Sequence, residues 1–356
     1  MPTRSLVTTK TISHEPPTRQ AKHRVATFPG ACSAGRSLVD TVSSSRLLRV
    51  ASYNLLEFGM YVERAGEKVR YDRVAEVIRN VDADVWAVQE LADEDALRRL
   101  ANTTGLRCDV PDSDGAMGEV ACDPGRNGFG VGLLWKPGIE PLPGTLRRYT
   151  FDVYFHGLVK VELDVGGIRL QAASAHLTPF GSPQIVTEAR RVVSNLTRPD
   201  GCPPGFVGSD SNSITGDRIR RQDGRWDWHA ADPYAGQDWY DALVWQCTWR
   251  YDPRTGRRIH RADRAAGDVL RAGGLHDTGA VLDVPFAATV GYWPTGDPYG
   301  PRDIDHIRVT TALTPAIRSS RVYRCELALT ASDHLPKVAE IDLAALAERP
   351  TLPQAA

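Results

Sequence analysis

The sequence predicts an α/β chain in which two β-sheets pack face to face with helices outside them. Three observations carry this expectation. Short apolar runs alternate with the period of a strand, two such runs meet across a Gly-Gly turn, and amphipathic runs at helical spacing lie between them.

Alternation begins at Leu48, where Val50, Ser52 and Asn54 share one face and Arg49, Ala51, Tyr53 and Leu55 the other. The apolar bias of both faces predicts a strand buried on two sides, so the folded domain starts about here. Val74, Val77, Ile78 and Val81 then repeat at helical spacing. Asp82 to Asp84 break that pattern, and Val85 to Val88 form a second buried strand ending at Glu90. A short helix through Leu97 and Leu100 follows, then a loop-like stretch from Cys108 to Gly128, then a strand through Val131, Leu133 and Trp135. Gly128, Gly130 and Gly132 precede that strand and do not join a strand to a helix, so they are no dinucleotide fingerprint. Val159, Val161 and Leu163 pair with Ile168, Leu170 and Ala172 across Gly166-Gly167 as a hairpin. Ser182-Pro183 reads as an N-cap and first helical position, with Ile185, Ala189, Val192, Val193 and Leu196 as the apolar face behind it. Phe206-Val207 runs into Asp210, and further strands are expected at Ile304 to Thr310, Val322 to Leu329 and Val338 to Ile341.

Composition bounds the function. With 42% hydrophobic and 24% charged residues the chain reads as globular, and no apolar run approaches the roughly eighteen residues of a membrane helix. Lys plus Arg number 43 against 44 Asp plus Glu, a formal charge of −1, so no global positive field draws the chain to nucleic acid and any polyanion must be held locally. The six cysteines include no Cys-x-x-Cys pair, which argues against a zinc ribbon or redox dithiol and for free thiols. Residues 1–46 carry seven Lys and Arg against Glu15 and Asp40 and no apolar core of signal-peptide length. They are expected to be a disordered basic arm, the alternatives being an Arg-rich transit leader or a false upstream start, with a cytoplasmic location for the chain. The folded domain is expected over residues 47–345, acting as a monomer, with residues 346–356 as a frayed tail.

Polar residues end or follow the apolar runs at Asn54, Glu90, His176, Asp210 and Asp333-His334, where a pair of packed sheets presents side chains at one rim. Carboxylates and carboxamides are hard oxygen donors suited to Mg²⁺ or Mn²⁺. Glu90 is the natural anchor for such an ion, with Asn54 and Asp333 beside it. Hydrolysis of a phosphoester then needs an oriented water and neutralisation of growing negative charge, tasks that suit Asp210, Asn212, His176 and His334.

The segments Val50-Ala51-Ser52-Tyr53-Asn54, Ala87-Val88-Gln89-Glu90, Ala175-His176-Leu177-Thr178-Pro179, Gly208-Ser209-Asp210-Ser211-Asn212, Ile304-Asp305-His306-Ile307 and Ser332-Asp333-His334-Leu335-Pro336 resemble the ordered motifs of the endonuclease/exonuclease/phosphatase superfamily. The resemblance runs from about Arg49 to Ile341. It implies a four-layer α/β sandwich, two packed mixed β-sheets flanked by helices, with the active site at one end. It also implies that Glu90 binds the metal with Asn54 nearby, that Asp210 orients or deprotonates the attacking water, and that Asn212 holds a phosphate oxygen. His334, oriented by Asp305, contacts the phosphate in the transition state, and His176 contacts it from the other side or serves the leaving group. Two departures stand out. Ser209 replaces the usual Gly before the aspartate, and Leu56 stands where some members carry a second acidic residue. Glu57 is one residue out of that register and is expected on the opposite face, which argues against a second metal site.

Three function classes fit this pattern: a metal-dependent phosphodiesterase with nucleic acid as a candidate substrate, a phosphatase on a small or lipid-derived phosphoester, and a binding module without catalysis. The complete set of site residues weighs against the third. An insertion at about 216–262 concentrates Trp226, Trp228, Trp239, Trp245 and Trp249 among nine arginines between Arg218 and Arg261. Such a mixture can stack bases and grip phosphates, but indoles are usually buried in large part, so most of these are expected to pack on the sandwich. His156, His229, His260 and His276 match no motif and read as ordinary histidines. His306 is expected on the face of its strand opposite Asp305.

Overall fold

The computed structural model describes residues 47–347, except 117, 126–127, 151–153, 199–200, 294–296 and 298. The expected basic arm, Cys32 and residues 348–356 of the expected tail lie outside the described residues. In chain order, β1 (Leu47–Phe58) leads through α1 (Glu67–Val81) to β2 (Val85–Leu91) and α2 (Glu94–Thr104). A small pair, β3 (Asp109–Val110) and β4 (Glu119–Val120), precedes β5 (Cys122–Asp123) and β6 (Gly130–Trp135). The short β7 (Glu140–Pro141) and β8 (Arg147–Arg148) border a long hairpin of β9 (Gly157–Asp164) and β10 (Arg169–His176). Next come α3 (Gln184–Leu196) and β11 (Gly205–Asp210), then two hairpins, β12 (Arg218–Arg220) with β13 (Trp226–Trp228) and β14 (Cys247–Tyr251) with β15 (Arg258–Ala262). The chain closes with α4 (Ala265–Ala272), β16 (Leu275–Asp277), α5 (Thr278–Val281), β17 (Asp305–Thr310), β18 (Ile317–Val322), α6 (Ala328–Ala331), β19 (Lys337–Asp342) and α7 (Ala344–Ala347).

Two mixed sheets form the frame. The first runs β18-β19-β1-β2-β6-β5 and the second β16-β17-β11-β10-β9-β7, with β8 also on β9. The β1/β2 and β10/β11 pairs are parallel, and the other pairs are antiparallel. Alternation decides what each face meets. Val50 and Ala87 of the first sheet belong to one buried core with Ala172, Phe206, Ile307 and Val309 of the second. The outer faces of the first sheet, through Tyr53, Trp86 and Val88, pack on Val74, Ile78, Leu97 and Leu100 of α1 and α2. Ala173, Ala175 and Val207 of the second do the same on Ile185, Ala189 and Val192 of α3 and Leu270 of α4. The result is helix, sheet, sheet, helix, as the sequence predicts. α2 shows why its ends fall where they do: the Asp93 side chain accepts from the Ala96 amide, and Gly105 closes the other end in the left-handed conformation.

Near the end that carries the polar residues, a thin polar layer joins the sheets. The Gln89 amide reaches Ser174 Oγ at 3.1 Å and Ser52 Oγ at 3.4 Å, and Ser174 Oγ donates to the Val88 carbonyl at 2.9 Å. Gly208 is required here, because a Cβ would stand 2.5 Å from Ala87 Cβ and 2.9 Å from Ser52 Cβ. Gly208→Ala is therefore expected to lower unfolding free energy by about 1–3 kcal/mol, the usual cost of overpacking. A urea titration shows this as a lower midpoint at constant slope, and an unshifted midpoint would contradict it.

Two expectations need correcting. β18 ends at Val322, where its pairing with β19 stops at Lys337, and the chain then coils into α6, so Val322 to Leu329 is no strand. α3 begins at Gln184 with Pro183 at its N-cap and no side-chain cap, the first turn being closed by the Ile185 amide on the Gly181 carbonyl. Among the described residues Cys108, Cys122, Cys202, Cys247 and Cys325 are free, and no helix is long and apolar enough to cross a membrane.

Candidate active site

The register of the second sheet sets three of the polar residues side by side. His176 at the end of β10 pairs with Asp210 at the end of β11, which pairs with Asp305 at the start of β17. Asn54 of β1 reaches this row from the facing sheet. Its Nδ2 donates to Asp210 Oδ2 and to Glu90 Oε1, each at 3.0 Å, while its Oδ1 accepts from the Leu56 amide. Carboxylates only accept, so the amide nitrogen must face them and the oxygen must turn away. In this arrangement Asn54 orients two carboxylates.

Glu90 arrives by a backbone irregularity. Unbroken alternation would place it with Trp86 and Val88 on the helix-covered face, but it adopts φ 61° where the registers of β2 with both neighbours shift. A non-glycine residue in the left-handed region costs on the order of 1–3 kcal/mol and persists only where its surroundings hold it. Here they do: Glu90 Oε2 accepts the Glu57 amide at 3.0 Å as Oε1 accepts Asn54. Leu56 and Glu57 are left-handed too, with φ 53° and 51°, so β1 does not alternate past Leu55 and the expected opposite-face placement of Glu57 does not apply. The buried Arg70 holds this bend, with Nη1 on the carbonyls of Leu55 and Ala331 and Nη2 on that of Leu56.

The turn bearing His334 is tied to the same place. Ser332 Oγ donates to the Asn54 carbonyl at 2.8 Å and accepts the His334 amide at 3.2 Å. His334 Nδ1 meets Asp305 Oδ2 at 2.8 Å, and its Nε2 is 3.8 Å from Asp210 Oδ2. His176 Nε2 approaches that oxygen at 3.4 Å. Asp210 Oδ1 accepts the Asn212 amide at 3.0 Å, and Asn212, at φ 43°, donates from Nδ2 to the Leu177 carbonyl at 2.8 Å. The two histidines are shifted in opposite directions. Burial opposes a charge on His334, but the carboxylates of Asp305, Asp333 and Asp210 outweigh it and hold the imidazole well above its ordinary value. Burial, followed by the neighbouring His334 cation, pushes His176 down to about 3.

The structure thus brings Asn54, Glu90, Asp210, Asn212, Asp305 and His334 together through hydrogen bonds, with the His176 ring 3.4 Å from Asp210. Asp333 lies at its edge: it lines the cleft but does not join the donor clusters that Glu90, His176 and Asp210, or Asp210, Asp305 and His334, make within 4.8 Å. Burial raises the Glu90 carboxyl to about 7, with Asp333 and Asp210 adding to the rise against Asn54 and His334.

Several participants carry no motif. His156 stacks on His176 with centroids 3.8 Å apart and planes 14° apart. Glu188, buried on α3, clamps both loops, accepting the Thr178 amide at 2.7 Å and the Phe155 amide at 2.8 Å. It was hidden in an apolar helical face, where an acidic residue is the only available signal. Arg302, buried beside the site, places Nη1 on both Asp297 carboxylate oxygens at 2.7 Å. The cleft over these residues measures about 500 Å³. Glu90, His176, Asp210, Asn212 and His334 make its floor; Phe129 and His156 line it, as do Trp293 and Tyr299. A cavity of about 520 Å³ lined by Arg147, Lys160, Glu162 and Arg198 shares none of the site residues. As expected, His306 points away, its Nδ1 on Asp277 and its Nε2 on the Ser213 carbonyl.

The insertion does not behave as expected. Trp226 is 63% exposed and Trp245 and Trp249 are each 45% exposed. The burial there is done by Tyr234 and Leu243, which pack with Cys247, Ala262, Val290 and Ile304. Trp226 and Trp249 sit on hairpins of two short strands, which have no third layer to cover their second face, and Trp245 ends a short helical turn, Asp241–Trp245.

Comparison with known proteins follows the geometry. The sequence profile of the Endonuclease/Exonuclease/phosphatase family matches residues 51–334. A Bacteroides vulgatus structure of that family superposes with TM-score 0.53 at 14% identity, covering 83% of this chain and 98% of its own. A Bacteroides thetaiotaomicron member gives 0.50 at 16%, covering 83% and 97%, and truncated Caenorhabditis elegans TDP2 gives 0.51 at 14%, covering 83% and 98%. At such identities these likenesses speak for the fold alone. No curated protein matches the chain in sequence. The profile match spans the whole site from β1 to the His334 turn, and the chain belongs to the endonuclease/exonuclease/phosphatase family, whose members are phosphoester hydrolases.

Proposed function

We propose that the chain hydrolyses a phosphodiester with the help of Mg²⁺ or Mn²⁺, nucleic acid being the favoured substrate class. The observation that carries this reading is the convergence on Asp210 Oδ2 of Asn54, His176 and His334, with Glu90 tied to the same amide. The donor set fits a hard divalent cation: a buried carboxyl raised to about 7 among other carboxylates is one that a cation would return to its charged form. Glu90 would hold the ion, with Asp333 beside it and Asn54 fixing the Glu90 carboxylate. When bound, such an ion neutralises charge growing on the phosphoryl oxygens.

The remaining work falls to the chain's own groups. Asp210 orients the attacking water, and the proton leaves toward its carboxylate. The His334 cation, steadied by Asp305, faces a non-bridging oxygen as the water–phosphorus bond forms and the bond to the leaving oxygen breaks. Asn212, with one amide hydrogen on Leu177, offers the other to the phosphate, and His176 stands on the leaving-group side. The rings of Phe129, His156, Trp293 and Tyr299 line the cleft, which suits organic substituents on the phosphorus. A panel of bis-p-nitrophenyl phosphate, p-nitrophenyl phosphate, oligonucleotides, plasmid and sphingomyelin tests this. The diaryl ester is expected to turn over at least about 10-fold faster than the monoester, as differential transition-state binding allows. A monoester preference, or turnover of sphingomyelin alone, would overturn the substrate assignment.

A further inference from the structure

We propose that the insertion is a track for an unpaired polynucleotide strand leading to the catalytic cleft, an inference that rests on the phosphodiesterase reading above. A continuous line of rings connects the two. His176 stacks on His156, whose ring meets Phe155 at 4.8 Å; Phe155 meets Phe180 at 4.9 Å, and Phe180 meets Trp245 of the insertion at 5.6 Å. Phe180 and Trp245 are 42% and 45% exposed, and Pro179, next to Phe180, lines the cleft. The junction is built closely: Gly181, at φ 67°, lets the Trp245 carbonyl approach to where a Cβ would stand only 2.6 Å from it.

Two residues beyond Trp245 the β14–β15 hairpin begins, and its charge complements a polyanion. From Cys247 to Ala262 it carries Arg250, Arg254, Arg257, Arg258 and Arg261 against Asp252 alone, in a chain whose net charge is −1. Arg258 is spent on Tyr251 and Trp239. The side chains of Arg250, Arg254, Arg257 and Arg261 make no hydrogen bond or ion pair among the described residues. Exposed rings beside free guanidinium groups are what successive unpaired bases and phosphates require. A bilayer is disfavoured as the partner because the turns that would enter it are polar, Asp252-Pro253-Arg254-Thr255-Gly256-Arg257 and Arg221-Gln222-Asp223-Gly224-Arg225. Duplex is disfavoured because its base faces are already stacked.

The test uses the full chain in EDTA, following anisotropy of a labelled twelve-residue oligothymidylate, with a duplex of equal length and phosphatidylserine vesicles as alternatives. The single strand is expected to bind in preference to both. Trp245→Ala should weaken binding about 5- to 100-fold, the worth of one stacked base, and Trp245→Phe should restore most of it. The Arg250→Ser/Arg261→Ser pair should flatten the salt dependence by about 1.4 in log–log slope. Neither change should slow hydrolysis of bis-p-nitrophenyl phosphate with metal, a substrate too small to reach the hairpin. Binding indifferent to these substitutions, equal affinity for duplex, or capture by vesicles in place of the strand would overturn the proposal. Normal strand binding by a wild-type chain that fails to cleave the diaryl ester would support the track and remove the catalytic reading alone.

Discussion

His334→Ala is expected to lower phosphodiester turnover by at least about 10³-fold, as loss of a positioned electrostatic stabiliser does in a dry site. Asp305→Asn should keep the fold, since an amide occupies the same volume, and still cost a large part of that rate. The reason is the 2.8 Å contact between Asp305 Oδ2 and His334 Nδ1, which fixes the ring so that Nε2 faces Asp210. It also supports the charge: the surrounding carboxylates, Asp305 foremost, hold the His334 imidazole well above its ordinary value against the effect of burial. The sign follows. A raised folded-state value keeps the cation present up to high pH, and removing Asp305 lowers that value, so the alkaline limb of the rate profile should move to lower pH in Asp305→Asn. Because the pair shares one task, the double variant should be little slower than His334→Ala. Additive losses would separate the two residues and undo both assignments.

Glu90→Ala should reduce turnover about 10²- to 10³-fold and raise the Mg²⁺ concentration needed for half-maximal rate. Without the carboxylate, the Asn54 amide and the Glu57 amide lose their shared acceptor, and the left-handed bend in β2 loses its reason. The rate at saturating metal and the metal titration together check this. An unchanged rate would remove Glu90 from the site.

How much of this was legible varies with the physics of each residue. Asn54, His176, Asp210 and Asp305 end or begin regular strands, so alternation and strand order were enough to suggest a common rim, and the registers place His176, Asp210 and Asp305 in one row. Glu90 was legible as a motif residue and not as geometry. Its direction depends on a left-handed backbone held by amides 33 and 36 positions away in sequence, and no local pattern encodes that. His156, Glu188 and Arg70 were missed because each acts through tertiary contacts: a ring stack, two backbone amides, three carbonyls. The tryptophans of the insertion show the opposite failure. Residue hydrophobicity predicts burial, but burial needs a covering layer, and the two-stranded hairpins that carry Trp226 and Trp249 provide none.

The central claim, a phosphodiesterase whose oxygen-rich site works with a hard divalent cation, is tested most directly by one titration. Hydrolysis of bis-p-nitrophenyl phosphate by the full chain is followed in EDTA and then with Mg²⁺ or Mn²⁺ restored in excess. The account predicts that turnover disappears in EDTA and returns with either ion. Full turnover in EDTA, unaltered by any added metal, would contradict it.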